Sequence, residues 1–269
     1  MSVRVIILTS TFRRHQFVAN YLSTKVQVLG VWQEQKSFDP QNYAKTSGDH
    51  TLIKRHFADR DLAEESFFGP KISNSMVADI PHYQVSVGGI NEPNEIQRMV
   101  ALQPDVCVVF GTGLLKSKII KAFEGHLLNI HLGLSPYYRG AGTNFWPLVN
   151  REPEYVGATI HYLDEGIDTG PIIGHVRPEI RLGDGPHDLG NRAIEAAAKG
   201  MVATVISHYK GHVHATPQTS KGKLYQRKEF SADAVRRLYR QFSTGMIEQY
   251  LSDRKARDER LDLLNIKVA

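Results

Sequence analysis

Cysteine is nearly absent from this chain: 269 residues include one, Cys107. That excludes an intrachain disulfide and any multi-cysteine zinc or iron–sulfur site. No apolar run approaches the ~18 residues a spanning helix needs. The first apolar stretch, Val5 to Leu8, has no small-residue cleavage site after it and reads as a buried strand rather than a signal peptide. Internal repeats and low-complexity segments are missing too. These absences lead to the expectation of a cytoplasmic protein with no membrane contact. What is present is ordinary for a globular chain of one to two domains, with 41% apolar and 23% charged residues.

The net charge of +5 is unevenly placed. Residues before 221 carry equal numbers of each sign, and from Lys221 onward twelve Lys and Arg face seven Asp and Glu. A basic tail can attract a phosphate-bearing partner. Here Arg236, Arg237, Arg240, Arg254, Arg257 and Arg260 alternate with acids and apolar residues, as on a solvated helix face, so nucleic acid is not an expected partner.

Val3 to Leu8 predicts a strand, the pattern through Phe17, Tyr21 and Leu22 a helix, and Val26 to Trp32 a second strand. That succession begins a parallel sheet with crossover helices. His50 to Phe68 has helical spacing and ends at Gly69-Pro70. A strand at Tyr83 to Val87, a helix at Glu92 to Leu102 and a strand at Asp105 to Phe110 follow. Beyond Gly111-Thr112-Gly113 come a short helix, Lys116 to Phe123, and the strand Leu127 to His131. The pattern predicts an α/β protein with a Rossmann-like, doubly wound, mostly parallel sheet. Next are a turn-rich loop (Ser135 to Thr143), a short helix (Phe145 to Val149), two strands (Val156 to Leu163 and Pro171 to Ile180) and a long helix (Leu189 to Tyr209). We expect a catalytic domain over 1–215. A mostly helical extension over 216–269, with helices at Ala232 to Phe242 and Met246 to Leu264, is a candidate dimerisation element.

Asn129 and His131 lie two apart in a strand, so both project from one face near its carboxyl end, which in an open parallel sheet borders the ligand crevice. Asp168 sits in the glycine-flanked loop Gly166-Ile167-Asp168-Thr169-Gly170. An amide donor, an imidazole and a carboxylate are the groups needed to move a carbonyl group onto an amine: one holds the developing oxyanion, one manages the proton, one orients it. Spacing alone leaves two readings open, a capping or solvated pair and an acyl-transfer site. His212 and His214 share a strand-like face without a partner motif and read as surface residues; no metal site is expected.

The run Asn129-Ile130-His131, then Ser135-Pro136-x-x-Arg139-Gly140, then Asp168-Thr169-Gly170, resembles the signature of the folate-dependent formyltransferases. That family includes glycinamide ribonucleotide transformylase, methionyl-tRNA formyltransferase and the nucleotide-sugar N-formyltransferases. The likeness covers roughly residues 90–210 well and the first strand–helix unit more loosely. It implies catalytic roles for Asn129, His131 and Asp168 and 10-formyltetrahydrofolate as co-substrate, with no metal. The co-substrate would be held by Phe110, Gly111, Thr112, Gly113, Leu114 and Leu115 together with Asp164, Gly166 and Ile167. The chain departs from the family at Ser135, where Leu is usual, and at Leu132 after the histidine; both bear on the acceptor side.

The acceptor reading rests on what surrounds these motifs. The turn after the first strand, Thr9-Ser10-Thr11-Phe12-Arg13-Arg14-His15, lacks the glycine of a purine-enzyme phosphate cradle. It offers hydroxyls and cations instead, so Thr9, Ser10, Arg13 and Arg14 are candidate diphosphate contacts. The residues past 215 do not read as the β-barrel that methionyl-tRNA formyltransferase carries. The chain is similar to the nucleotide-sugar enzymes in length and in Arg139-Gly140-x-x-x-Asn144-Phe145-Trp146. Arg139, Asn144, Trp146 and Tyr225 are therefore candidate acceptor contacts, with Tyr225 stacking on a base. The expected function is formylation of a nucleotide-linked amino sugar for surface polysaccharide synthesis, by a chain that the family likeness implies is a homo-oligomer. The alternatives are a methionyl-tRNA or glycinamide ribonucleotide acceptor, or a non-catalytic folate- or nucleotide-binding scaffold.

Overall fold

A computed structural model describes residues 2–36, 49–72, 79–219 and 222–267. In the first strand, β1 (Arg4–Ser10), side chains alternate between two cores. Val5 and Ile7 face one core with Phe17, Phe68, Ile194 and Met201, whereas Ile6 and Leu8 face another with Met99, Ile119 and Phe123. Burial on both faces explains why β1 reads as a continuous apolar run. The helices that cover the first face are α1 (Arg13–Ser23), α2 (His50–Phe68) and the long α6 (Pro186–Tyr209). On the second lie α3 (Pro93–Ala101) and α4 (Ser117–Ala122).

The remaining strands of the main sheet are β2 (Gln27–Glu34), β3 (His82–Val85), β4 (Val106–Val109), β5 (Leu127–His131), β7 (Ala158–Tyr162) and β8 (Ile172–Val176), in the order β3-β2-β1-β4-β5-β7-β8. The first five in that order run parallel, and β7 and β8 are antiparallel additions. This is the Rossmann-like, mostly parallel α/β sheet that the sequence predicts. The carboxyl ends of β1, β2, β4 and β5 open on one side, where the candidate site lies. No helix among the described residues is long and apolar enough to cross a membrane.

Beyond residue 135 the structure differs from the sequence pattern in two places. The loop expected at Ser135 to Thr143 contains a short strand, β6 (Tyr138–Gly140), paired in parallel with β9 (Lys223–Tyr225). A three-residue pairing across some eighty positions leaves no local signal. The last helix, α8 (Met246–Asp258), ends six residues early. Leu264 and Ile266 instead exchange backbone hydrogen bonds with His175 on the edge strand β8, satisfying groups an edge would expose.

Residues past 215 share a core with those before it: Tyr138, Trp146 and Val156 pack with Tyr225, Leu238 and Tyr250, where α5 (Trp146–Val149) meets α7 (Ala232–Ser243) and α8. Tyr225 is 3% exposed, stacked between Tyr138 and Trp146 at ring separations of 5.5 and 4.7 Å. It is unavailable to stack on a base. Asn150 Nδ2 donates to the hydroxyls of both Tyr138 and Tyr225 at 2.9 Å. Tyr225→Phe keeps the stack and removes one of these bonds. Urea unfolding is expected to show a loss of about 1 kcal/mol.

Candidate active site

Asn129 and His131 come from the carboxyl end of β5, and the antiparallel neighbour β7 sets His161 directly opposite Asn129. The His161 Nδ1–H donates to the Tyr162 carbonyl at 2.7 Å. That leaves a lone pair on Nε2, which accepts from Asn129 Nδ2 at 3.0 Å. Burial, and then the neighbouring His131, push the His161 pKa below its ordinary value, so this imidazole stays a neutral acceptor. One N–H of the Asn129 amide is thereby held, and its plane with it; the second remains for a ligand.

His131 Nε2–H donates to the Tyr138 carbonyl at 3.0 Å. A carbonyl only accepts, so in the neutral ring the lone pair is on Nδ1, 3.3 Å from Asp168 Oδ1. The same oxygen lies 3.9 Å from His161 Nε2. Asp168 Oδ2 accepts the Gly140 N–H at 3.1 Å. The Asp168 backbone is left-handed, with φ of 52°, a conformation Asp tolerates better than most side chains. Gln218, from the segment past 215, holds the loop there by donating to the Asp168 and Gly170 carbonyls at 2.9 and 2.8 Å. The structure thus brings Asn129, His131 and Asp168 together, with His161 as a fourth member. His161 had one legible signal, a histidine alternating with apolar residues on a predicted strand. Its partner was not legible, because cross-strand register is tertiary.

Asn129, His131 and Asp168 line a cleft of about 710 Å³, with His161 buried behind Asn129; the volume is within the range of small-molecule sites. Phe110, Gly111, Thr112, Gly113, Leu114 and Leu115 form one wall, and Asp164, Gly166 and Ile167 belong to another. Gly111 has φ of 74°, and a Cβ there would collide with the His15 ring. The buried Glu34 carboxylate, at the end of β2, accepts the Gly88 N–H at 2.8 Å and also the Gly113 N–H. Lys36 donates to the Gly111 carbonyl. Burial first, then Arg14, lowers the Lys36 pKa to about 8. Sequence reasoning missed Glu34, Lys36 and His15; charged residues at the ends of strands look solvated until the loops facing them are placed.

Of the residues assigned to the acceptor, Arg14, Asn144 and Trp146 line the cleft. The other five act elsewhere. Thr9 and Ser10 are buried, their hydroxyls donating to the Phe110 and Glu34 carbonyls at 2.8 Å. Arg13 is half-exposed in an ion pair with Glu65. Arg139 is buried and donates to the Ile167 carbonyl at 2.9 Å, so it braces the 164–170 loop. Tyr225 is in the core described above. The cleft also reaches His56, Phe57, Arg60, His187, Arg227 and Phe230, none of them singled out by the sequence motifs.

His56 is 6% exposed, and burial, then His187 and Arg60, lower its pKa to about 3. The unfolded chain therefore takes up a proton that the folded one excludes. This part of the stability is complete above about pH 6.5 and is lost as pH falls toward the folded value. By about pH 5 the loss is on the order of 2 kcal/mol. Urea midpoints at about pH 7.5 and about pH 5 test this; a His56→Gln chain is expected to show a flatter dependence.

The fold and this constellation define an α/β protein with an amide, two imidazoles and a carboxylate at the carboxyl end of a mostly parallel sheet. The family model described as formyl transferase matches residues 18–205, and the chain belongs to that family. Methionyl-tRNA formyltransferase of Salinispora tropica is 33% identical over 144 residues, covering 53% of this chain and 46% of that one. The chain thus spans under half the length of this relative. In fold it is similar to a sugar N-formyltransferase from a Shewanella species, with a TM-score of 0.55, 16% identity and coverage of 85% of this chain and 78% of that one. It is equally similar to phosphoribosylglycinamide formyltransferase of Anaplasma phagocytophilum, with a TM-score of 0.56, 17% identity and coverage of 84% and 100%.

Proposed function

We propose that this chain transfers a formyl group from 10-formyltetrahydrofolate to the primary amine of a nucleotide-linked amino sugar, in the cytoplasm, for surface polysaccharide synthesis. The observation that carries the reading is Asn129, held by His161 from behind, beside His131 with Asp168 on the lining of one cleft bounded by two glycine loops. Residues 110–115 and 164–167 fit the co-substrate. They offer loop backbone at close approach, and the cleft carries buried polar atoms with no partner among the described residues, among them Asn144 Nδ2 and His15 Nδ1. When bound, the folate supplies the formyl carbon.

The protein's own part follows from the hydrogen bonds. Asn129, oriented by His161, donates its second N–H to a carbonyl oxygen gaining negative charge. The His131–Asp168 pair takes up the proton released by the attacking amine: Nδ1 bears the lone pair, Tyr138 holds the far side of the ring, and the carboxylate stabilises the imidazolium. The segment after 215 supports the loop through Gln218 and is the proposed element of self-association.

The test is tetrahydrofolate release from 10-formyltetrahydrofolate against UDP-, dTDP- and GDP-amino sugars. Release with one of them, abolished in His131→Ala, is the expected result. The identity to methionyl-tRNA formyltransferase favours a second reading in which methionyl-tRNA is the acceptor. Including methionyl-tRNA and glycinamide ribonucleotide in the panel decides between these. No release with any amine, together with intact folate binding, would leave a scaffold.

A further inference from the structure

His131, Thr159 and His175 form one row across the sheet. The register sets His131 of β5 opposite Thr159 of β7, and Thr159 opposite His175 of β8, so the three side chains project from one face. Each holds backbone of the segment that follows β5. Thr159 Oγ1 donates to the Gly133 carbonyl at 2.6 Å and accepts the Ser135 N–H at 2.8 Å. His175 Nε2 donates to the Ser135 carbonyl at 2.8 Å, and His131 donates to the Tyr138 carbonyl.

The other side of the His175 ring faces the last described residues of the chain. Its Nδ1 accepts the Leu264 N–H at 3.0 Å. A carbonyl only accepts and a backbone N–H only donates, so one neutral tautomer serves both partners. His175 is 2% exposed, and burial lowers its pKa against the opposing effects of the Ser135 carbonyl and Asp262. Segment 262–266 reaches the same loop a second time, where the Tyr137 hydroxyl accepts the Asp262 N–H at 3.0 Å. Ile266 lies over Gly174, where a Cβ would collide with its side chain. Covering an edge strand requires only backbone pairing, which Leu264 and Ile266 already give to His175. The side-chain bonds of His175 and Tyr137 come in addition, and both tie the segment to the loop 135–140.

We infer that His175 is a positioning residue for formyl transfer: held by segment 262–266, it fixes Ser135 and with it the loop whose Tyr138 carbonyl orients His131 and whose Gly140 N–H orients Asp168. This rests on the reading of the chain as a formyltransferase. His175 is not among the described residues that line the cleft. Replacing it therefore leaves the ligand contacts in place and acts through the loop.

Three substitutions separate this role from edge covering. Glutamine carries a donor and an acceptor side by side, as the ring does, and can keep both side-chain bonds. Asparagine is one methylene shorter and reaches Leu264 only; phenylalanine fills the ring's volume and makes neither bond. In His175→Asn and His175→Phe, kcat is expected to fall about tenfold to a hundredfold, the scale of a small misplacement of catalytic groups, with His175→Gln within about threefold of the parent. The KM for 10-formyltetrahydrofolate should stay nearly unchanged in all three. Melting temperatures show which variants fold, and either loss variant carries the test.

Imidazole nitrogen NMR reads the same loop with no substrate present. The His131 signals, assigned by their disappearance in His131→Ala, should report a protonated Nε2 and an unprotonated Nδ1 in the parent and in His175→Gln. A mixture of tautomers is expected in His175→Asn and His175→Phe. With an active parent, a retained kcat in the loss variants overturns the inference. So does a raised KM at unchanged kcat, or a loss that His175→Gln shares in full. With a parent that transfers no formyl group to any amine, the enzyme reading fails alone, and the spectra decide whether His175 sets His131: unchanged signals in the loss variants overturn that too.

Discussion

Asn129→Ala is expected to lower turnover about 100- to 1000-fold, the usual result of removing one oxyanion donor, while folate affinity stays nearly unchanged. The side chain is short, buried and held by His161 at 3.0 Å. It therefore adds little contact area for a bound ligand. In the proposed mechanism its contribution is a directed N–H that gains value only as charge builds on the carbonyl oxygen. Steady-state tetrahydrofolate release gives the rate, and calorimetry with a non-reactive folate gives the affinity. A variant that keeps most of its rate removes the oxyanion role. A variant with weakened folate binding and normal turnover would make Asn129 a binding residue instead.

The second large effect is expected from Asp168→Asn, where turnover should fall about 1000-fold or more, as when a catalytic histidine loses its carboxylate partner. Asparagine tolerates the left-handed backbone that Asp168 adopts. Its oxygen can still accept the Gly140 N–H, and the backbone carbonyl still receives Gln218. The loop therefore keeps its shape. The loss is the negative charge facing His131 Nδ1 at 3.3 Å, without which an arriving proton has no counter-ion. A melting temperature within a few degrees of the parent, beside the collapsed rate, separates this from unfolding. A rate within tenfold of the parent would make Asp168 a loop former only.

Much of the architecture was legible because periodicity reports local geometry. His50 to Phe68, read from helical spacing and a Gly-Pro stop, is helical over those same residues. The strand with Asn129 and His131 spans the predicted residues, Leu127–His131, and a spacing of two suffices to place both side chains on one face. Thr9, Ser10 and Tyr225 show the limit of that reasoning. Hydroxyls after a strand look available to a phosphate until the neighbouring carbonyls of Phe110 and Glu34 are placed within 2.8 Å of them. A tyrosine in a polar tail looks exposed until β9 pairs with β6 and slides it between Tyr138 and Trp146.

By itself the sequence determined the α/β class, most element boundaries in the first 131 residues, and the three polar residues that the strand end and the 164–170 loop bring together. The class, the boundaries and the shared face of Asn129 and His131 follow from contacts between residues near in the chain or from the two-residue period of a strand, whereas Asp168 joins them through the resemblance to the formyltransferases. Tertiary structure alone decided that His161 faces Asn129, that Glu34 and Gln218 brace the loops around the cleft, and that Phe57, Phe145, His187 and Phe230 gather around His56. Those relations depend on the register of antiparallel β7 and on the return of the chain past residue 215. Register and return are settled by packing summed over the whole molecule, which no window of the sequence contains.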